Sequence, residues 1–329
     1  MPRSAPSRRD RFDMQQLVDI ILPVFGLIGL GYAIAALGIL RTEVGDALGD
    51  FVFTIAVPLL IFRTLATAHL PPVSPWPLWL SYFAAAAIVW ITGDRIVRHV
   101  FGRDERAGIV AGVSSAFSNL VLIGIPLMLT AFGEAGSVPL FVLISVHLPV
   151  MMVVSTLLID RLERREKNLA ATPLALLRSI VLGLLSNPIV IGILLGGFWR
   201  LTSLPVDGVP KVLIDKLAAT AGPCALFALG MGLKRYGIRG NLAPSLVLTV
   251  LKVGVLPALV WTFTTYLTNL PPLWVSVATI AAASPTGVNA YIIAARFNTG
   301  HGIASNTITL TNAASVLSMA FWLQILPMQ

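Results

Sequence analysis

An all-α integral membrane protein of ten transmembrane helices, arranged as two inverted five-helix repeats with the fourth and ninth helices broken, follows from three observations. First, the 329 residues are 56% hydrophobic and only 12% charged, with a mean hydropathy of +0.86. A soluble domain is roughly 25% charged and 45–50% apolar. Second, the apolar residues fall into ten runs, each near the roughly 20 residues that cross a bilayer as helix. Third, two of those runs are interrupted in the middle by Ser, Asn, Gly and Pro, one in each half of the chain.

The runs, in order, are Leu17 to Leu40, Ala47 to Ala68, Trp76 to Ile96, Ala107 to Ala131, Val138 to Ile159, Leu174 to Trp199, Val212 to Leu233, Leu242 to Leu267, Leu273 to Arg296 and Ile303 to Leu326. The domain plan is therefore a basic tail over 1–13, a first five-helix repeat over 14–160, a basic loop over 161–173 and a second repeat over 174–329. The tail carries Arg8 and Arg9 like a twin-arginine export signal. The apolar run behind it is longer than a signal's roughly 7–15 residues and is read as an uncleaved first helix. Met14 opens the segment MQQLVDIILPVF and is an alternative natural start.

The formal charge of +8 marks topology rather than a nucleic-acid surface, because the basic residues sit in short loops. Arg41, the stretch Arg95 to Arg106, the stretch Arg161 to Arg178, Lys234, Arg235, Arg239 and Arg296 share one side. Arg63, Arg200, Lys211 and Lys216 share the other. The positive-inside rule then puts both termini outside the cytoplasm. Arg3, Arg8, Arg9 and Arg11 of the tail oppose that orientation and are outvoted.

The repeat is read from a shift of 165 residues, which carries Pro23 onto Pro188, Gly31 onto Gly196, Pro58 onto Pro223 and Phe62 onto Phe227. Small apolar matches arise cheaply in such a chain, so the two prolines carry the weight. An odd number of spans per repeat forces the second half upside down, a common plan of secondary transporters.

The fourth run reads SSAFSNLVLIGIP from Ser114, and the ninth reads AAASPTGVNAYIIAARF from Ala281. Proline lacks an amide hydrogen and glycine tolerates open backbone, so both helices are expected to break. Gly124, Pro126, Ser284, Pro285 and Gly287 are the expected break positions. Broken helices at bilayer depth persist where protein or a water-filled cavity satisfies their freed backbone, and transporters build substrate sites there. Asn119 offers two donors and an acceptor beside positive helix ends, which suits a carboxylate. The alternative is an interhelical hydrogen bond worth about 1 kcal/mol. Ser115, Ser118, Ser284, Thr286 and Asn289 either line the cavity or cap freed amides.

Across most of the chain from Met14 the sequence resembles the auxin efflux carrier family, which contains the plant PIN carriers and bacterial malonate or other organic-anion permeases. The carrying segments are ILPVFGLIGLGY from Ile21, AVPLLIF, SNLVLIGIPLMLTAFG from Ser118, SNPIVIGILLGG from Ser186, LKVGVLPAL from Leu251 and SPTGVNAYIIAARF from Ser284. The resemblance implies a scaffold part, a transport part holding two crossing helices, and an elevator-type or rocking alternating-access cycle for a small carboxylate. It implies that Asn119 is the substrate-contacting amide of the first crossing and that Thr286 stands in the second, where the plant branch often has a longer polar side chain. It also implies the bacterial cytoplasmic (inner) membrane as location.

Lys252 lies inside the eighth run, where an unpaired ammonium is costly. It either attracts the anion, neutralises carbonyl ends at the crossing, or snorkels to the near surface. Every Asp and Glu falls in the tail, a loop or the end of a run, so no midplane acid is available for cation-proton exchange. Sodium, held by hydroxyls and carbonyls, and protons are the candidate coupling ions. His147 is read as hydrogen-bonded structure with titration as the alternative, and His69, His99 and His301 as loop residues. The pairs Gly108 with Gly112 and Gly192 with Gly196, and the group Gly26, Gly29 and Gly31, are read as close helix packing.

No P-loop, HExxH, dinucleotide fingerprint or GxSxG occurs, which argues against an enzyme and against ATP-driven transport by this chain alone. The lone Cys224 excludes an internal disulfide and a cysteine-cluster metal site, and no cofactor or metal is expected. The expected function is a secondary active transporter of a small organic anion bound between the crossing helices, with the bilayer and a second copy of the chain as candidate partners. The alternatives are a sodium-coupled carrier of the bile-acid-symporter type and a non-transporting membrane sensor on a carrier frame.

Overall fold

The computed structural model describes residues 12–67, 73–167, 173–236, 238, 240 and 242–327, with helix as the only regular secondary structure among them. The chain runs through α1 (Met14–Ala36), α2 (Thr42–Phe51), α3 (Val57–Thr67), α4 (Trp76–Arg95), α5 (Glu105–Ala116), α6 (Ile125–Lys167), α7 (Pro173–Leu185), α8 (Pro188–Thr202), α9 (Gly208–Ala219) and α10 (Ala221–Tyr236). It continues through α11 (Ala243–Val250), α12 (Leu256–Tyr266), α13 (Pro272–Ala283), α14 (Asn289–Phe297) and α15 (His301–Ile325). Among the described residues seven helices are long and apolar enough to cross a membrane, so this is a multi-pass membrane protein.

Local chemistry explains many of the ends. Asp13 caps α1, accepting from the Gln16 amide at 2.8 Å while the Gln16 side chain accepts from the Asp13 amide at 2.9 Å, a reciprocal capping box. Phe12 is buried edge-on against Phe132; thus residues 12 and 13 belong to the fold, while residues 1–11 of the expected tail lie outside the described residues, as does His69. Asp104 caps α5 through the Ala107 amide at 2.7 Å. His301 is the first residue of α15 rather than a loop residue, and His99 lies in a helical turn.

Four turns are widened to i→i+5 bonding, and three of them end two residues before a proline: Val52–Ala56 before Pro58, Leu120–Gly124 before Pro126, and Leu251–Val255 before Pro257. A proline in an α-helix collides with the carbonyl four residues back and donates no hydrogen bond. The widened turn holds that carbonyl, so the helix passes the proline without breaking.

The expected sixth run, Leu174 to Trp199, is not one helix. Asn187 stops it: its side chain accepts from the amides of Ile189 at 2.9 Å and Val190 at 3.4 Å and starts α8, with Pro188 at the first helical position. Gly133, at φ 58 and ψ −150, divides α6 where the fourth and fifth runs were separated.

The helices sort by contact into two bodies, which also meet where α1 and α10 touch α6 and α15. In one, α1 lies on α10 and α3 lies on α8; in the other, α4 packs on α5 and α12, α11 on α15, and α13 on α12 and α6. Glycine permits the close approaches in the first body. A Cβ on Gly31 would stand 2.3 Å from the Phe227 carbonyl oxygen, and one on Gly196 would stand 3.0 Å from the Phe62 backbone. Gly26 and Gly29 meet nothing within 4 Å, so the packing role expected for the whole group belongs to Gly31 alone. The centre of the second body is α5 and α13. Residues 107–116 and 274–283 are buried without exception, as helices apolar on every side must be.

Candidate functional site

The α5 helix ends at Ala116 and the backbone opens. Phe117 is extended, and Asn119 takes φ −79 and ψ 70 before helix resumes at Leu120. The Asn119 side-chain oxygen accepts from the Leu122 amide at 3.2 Å, the helix-starting role that asparagine's short amide favours. In the other half, α13 ends because Pro285 forces the residue before it, Ser284, into extended backbone at ψ 144. The two open segments lie against each other. The Asn119 amide donates to the Pro285 carbonyl at 2.8 Å, and the Gly287 amide donates to the Phe117 carbonyl at 2.9 Å, an antiparallel bridge between Ser118 and Thr286. Each break thus supplies hydrogen-bond partners to the other where hydrocarbon would supply none. Thr286 adds two ties, donating from its hydroxyl to the Ser114 carbonyl at 2.6 Å and from its amide to the Thr311 hydroxyl at 3.1 Å.

Lys252 locks the crossing from behind. It is fully buried, and its Nζ donates to Ser118 Oγ at 2.9 Å and to the Ala282 carbonyl at 2.7 Å. Snorkelling is therefore excluded. Its nitrogen sits at the C-terminal end of α13, where the last carbonyls carry partial negative charge. Ser118 Oγ also lies 2.8 Å from the Tyr82 hydroxyl, so α4, the α5 break, the widened turn and α13 share one polar knot. No Asp or Glu is buried among the described residues.

In front of the crossing lies a cavity of about 320 Å³. Its polar lining is Ser118, Asn119, His147, Asn187 and Asn289, and its apolar lining includes Phe53, Phe117, Ile144, Leu148 and Met152; no Asp, Glu, Lys or Arg among the described residues reaches it. Three helix starts open onto it, those at Leu120, Pro188 and Asn289. Two buried nitrogens there have no hydrogen-bond partner, Asn119 Nδ2 and His147 Nε2. The His147 ring stands among Phe117, Tyr82 and Phe83 with centroids 5.1, 5.5 and 6.3 Å away.

Of the residues expected at a site, Ser118, Asn119, Gly287 and Asn289 line this cavity. Thr286 and Lys252 do not; their side chains hold the crossing together. Ser115 bonds to the Gly112 and Val89 carbonyls. Ser284 and Pro285 lie at the break, and Gly124 and Pro126 lie beyond theirs, in resumed helix that the widened turn carries past the proline. His147 was expected to be hydrogen-bonded, and its Nε2 has no partner. Asn187 was not foreseen as a lining residue. Its Ser-Asn-Pro context is a helix-start signal, which could have located the third break.

Residues 17–323 match the family described as "Membrane transport protein". The chain belongs to this family, the auxin efflux carriers. It is a transporter family and not an enzyme family. The chain is 24% identical over 306 residues, 93% of its length and 94% of the other's, to a Rhizobium meliloti protein named "Putative malonate transporter". It is 24% identical over 314 residues, 94% of its length and 98% of the other's, to an uncharacterized transporter of Methanothermobacter thermautotrophicus. An uncharacterized transporter of Methanocaldococcus jannaschii is 23% identical over 310 residues, 93% of this chain and 97% of that one. In this carrier the paired breaks, the lysine behind them and the cavity in front of them make the candidate substrate site.

Proposed function

We propose that the protein is a secondary carrier of a small organic anion, bound in the cavity before the crossing. The observation that carries this reading is the Asn119 Nδ2 donor, buried without a partner in a cavity onto which three helix starts open and which no carboxylate of the described residues lines. Helix starts and amide donors favour a carboxylate. The volume lies at the low end of the roughly 300–1,000 Å³ of ligand pockets, which suits a small acid better than a steroid acid. The name of the Rhizobium relative makes malonate the first substrate to try.

The cavity is walled by Phe53 and Asn187 from one body of helices and by Asn119, His147 and Asn289 from the other. Movement of the second body along the first would carry the anion from one face to the other, as in an elevator or rocking cycle. The inverted repeat has a geometric support. Gly31 lies on Phe227 and Gly196 lies on Phe62, and the 165-residue shift turns one contact into the other with the halves exchanged, as a two-fold relation requires. The sodium-coupled bile-acid-type alternative needs acidic ligands near the crossing, and a sensor needs no binding cavity between two bodies.

The test is uptake of labelled malonate and related mono- and dicarboxylates into liposomes, with binding followed by the melting temperature, which a ligand of the folded state raises. Asn119→Ala is expected to weaken binding about tenfold, equivalent to about 1.4 kcal/mol for the lost donor and helix start. Equal uptake by the variant and the unaltered carrier would remove Asn119 from the site.

A further inference from the structure

We propose that His147 takes up a proton when the anion binds, so that the carrier moves a carboxylate and a proton together; this rests on the anion site proposed above. His147 is the one titratable side chain among the described residues that line the cavity. It is 2% exposed, and its Nε2 has no hydrogen-bond partner. A buried imidazole nitrogen in that condition has forgone its water without a replacement. Asn119 Nδ2, in the same wall, is in the same condition, so two orphaned nitrogens share one cavity.

The charges around the ring make proton uptake conditional. The titratable groups near it are the Tyr82 phenol of α4, whose ring it meets edge-on, and the Lys252 amino group of the widened turn before α12, which shares Ser118 Oγ with the Tyr82 hydroxyl. Phe117 and Phe83 supply the other ring contacts, and among the described residues the starts of α8 and α14 bring Asn187, Pro188, Ile189, Val288, Asn289 and Ile292 to the cavity. With the cavity free of anion, a positive charge at His147 is buried away from water and offset by no carboxylate among the described residues. A carboxylate held at Asn119 supplies that offset and an acceptor for a protonated Nε2. The anion and the proton therefore favour each other's binding, and by linkage each raises the affinity for the other by the same factor. The sign follows: where the anion-free ring is neutral and the anion-bound ring is charged, apparent affinity falls as pH rises, by up to about tenfold per pH unit for one proton.

The experiment is calorimetric titration of the purified full-length carrier with malonate, between pH 7 and 8, in two buffers of different ionisation enthalpy. That pair of buffers counts protons taken up per anion bound. About one proton per anion is expected for the unaltered protein, and none for His147→Gln, which keeps a polar donor, or for His147→Phe, which keeps the aromatic cluster. The two variants differ in packing, so either one that folds, as judged by its melting curve, suffices. Uptake of the same proton by a folded variant would assign it to malonate or to Lys252 and overturn the proposal. Binding of malonate by the unaltered protein without proton uptake would overturn it while leaving the anion site standing. Absence of binding by malonate, acetate and succinate alike would overturn both.

Discussion

Lys252 separates two explanations that a buried cation always invites: that its charge is used, or that its bulk is. Removing it as Lys252→Met keeps length and apolar contact while ending the bonds to Ser118 and Ala282. Buried charges replaced by apolar groups of similar shape often leave stability unchanged or improve it. Lys252→Met is thus expected to melt within a few degrees of the unaltered protein and to lose most malonate uptake, because the side-chain link from Ser118 to the Ala282 carbonyl is then gone and only the bridge between the two open segments and the Thr286 ties hold the crossing. Lys252→Ala leaves space as well and should cost about 2–4 kcal/mol of stability. Uptake by Lys252→Met at the original rate would show that the side chain only fills volume. Hydropathy alone located this lysine inside a span, but its partners stand 134 and 30 positions away, so no local pattern could name them.

At the scale of the helix, proline and glycine act through their neighbours more than by their own identity. Pro285 stops α13, whereas Pro58, Pro126 and Pro257 sit in helices that continue behind a widened turn. The residue before Pro285 is already at the end of a fully buried helix, where Lys252 takes the Ala282 carbonyl and the Ser284 amide takes those of Ile280 and Ala281. The glycines of α1 divide in the same way. Gly31→Leu would drive a side chain into the Phe227 carbonyl of α10 and is expected to prevent folding, measured as loss of a monodisperse, cooperatively melting protein. Gly26→Ala enters open space and should stabilise α1 by up to about 1 kcal/mol, the helix-propensity difference. A destabilised Gly26→Ala together with a tolerated Gly31→Leu would contradict the packing of α1 on α10.

Over the whole molecule, charge is sorted to two ends. Arg63 pairs with Glu134 and Asp215, and Asp215 with Lys211. Arg106 pairs with Glu166, Arg165 with Glu105, and Arg235 with Asp46. None of these pairs joins the side rich in Lys and Arg to the other side read from the sequence. Exposed pairs contribute little stability, so their value here is as markers of sidedness. With Cys224→Ser as background, a cysteine at Glu166 should react with an impermeant maleimide only from the cytoplasm, and one at Lys211 only from outside. The opposite pattern would invert the orientation, and labelling of both from one side would refute the topology.

Much of this arrangement was open to reading before any coordinates. The apolar runs, the two interruptions and the polar residues Ser118, Asn119 and Asn289 all follow from chemistry that acts within a few residues: water's rejection of apolar surface, proline's missing amide hydrogen, asparagine's affinity for a helix start. The break at Asn187 carried a local signal too, masked because hydropathy runs on evenly through Ser186 and Pro188.

Folding alone decided which broken end faces which, that Thr286 and Lys252 clasp the crossing instead of facing the cavity, and that His147 and Asn187 share its wall with Asn119. Such choices depend on hydrogen bonds and contacts between residues far apart in the chain. In a dry interior a donor takes the acceptor that packing brings near, and sequence neighbours do not determine which one that is.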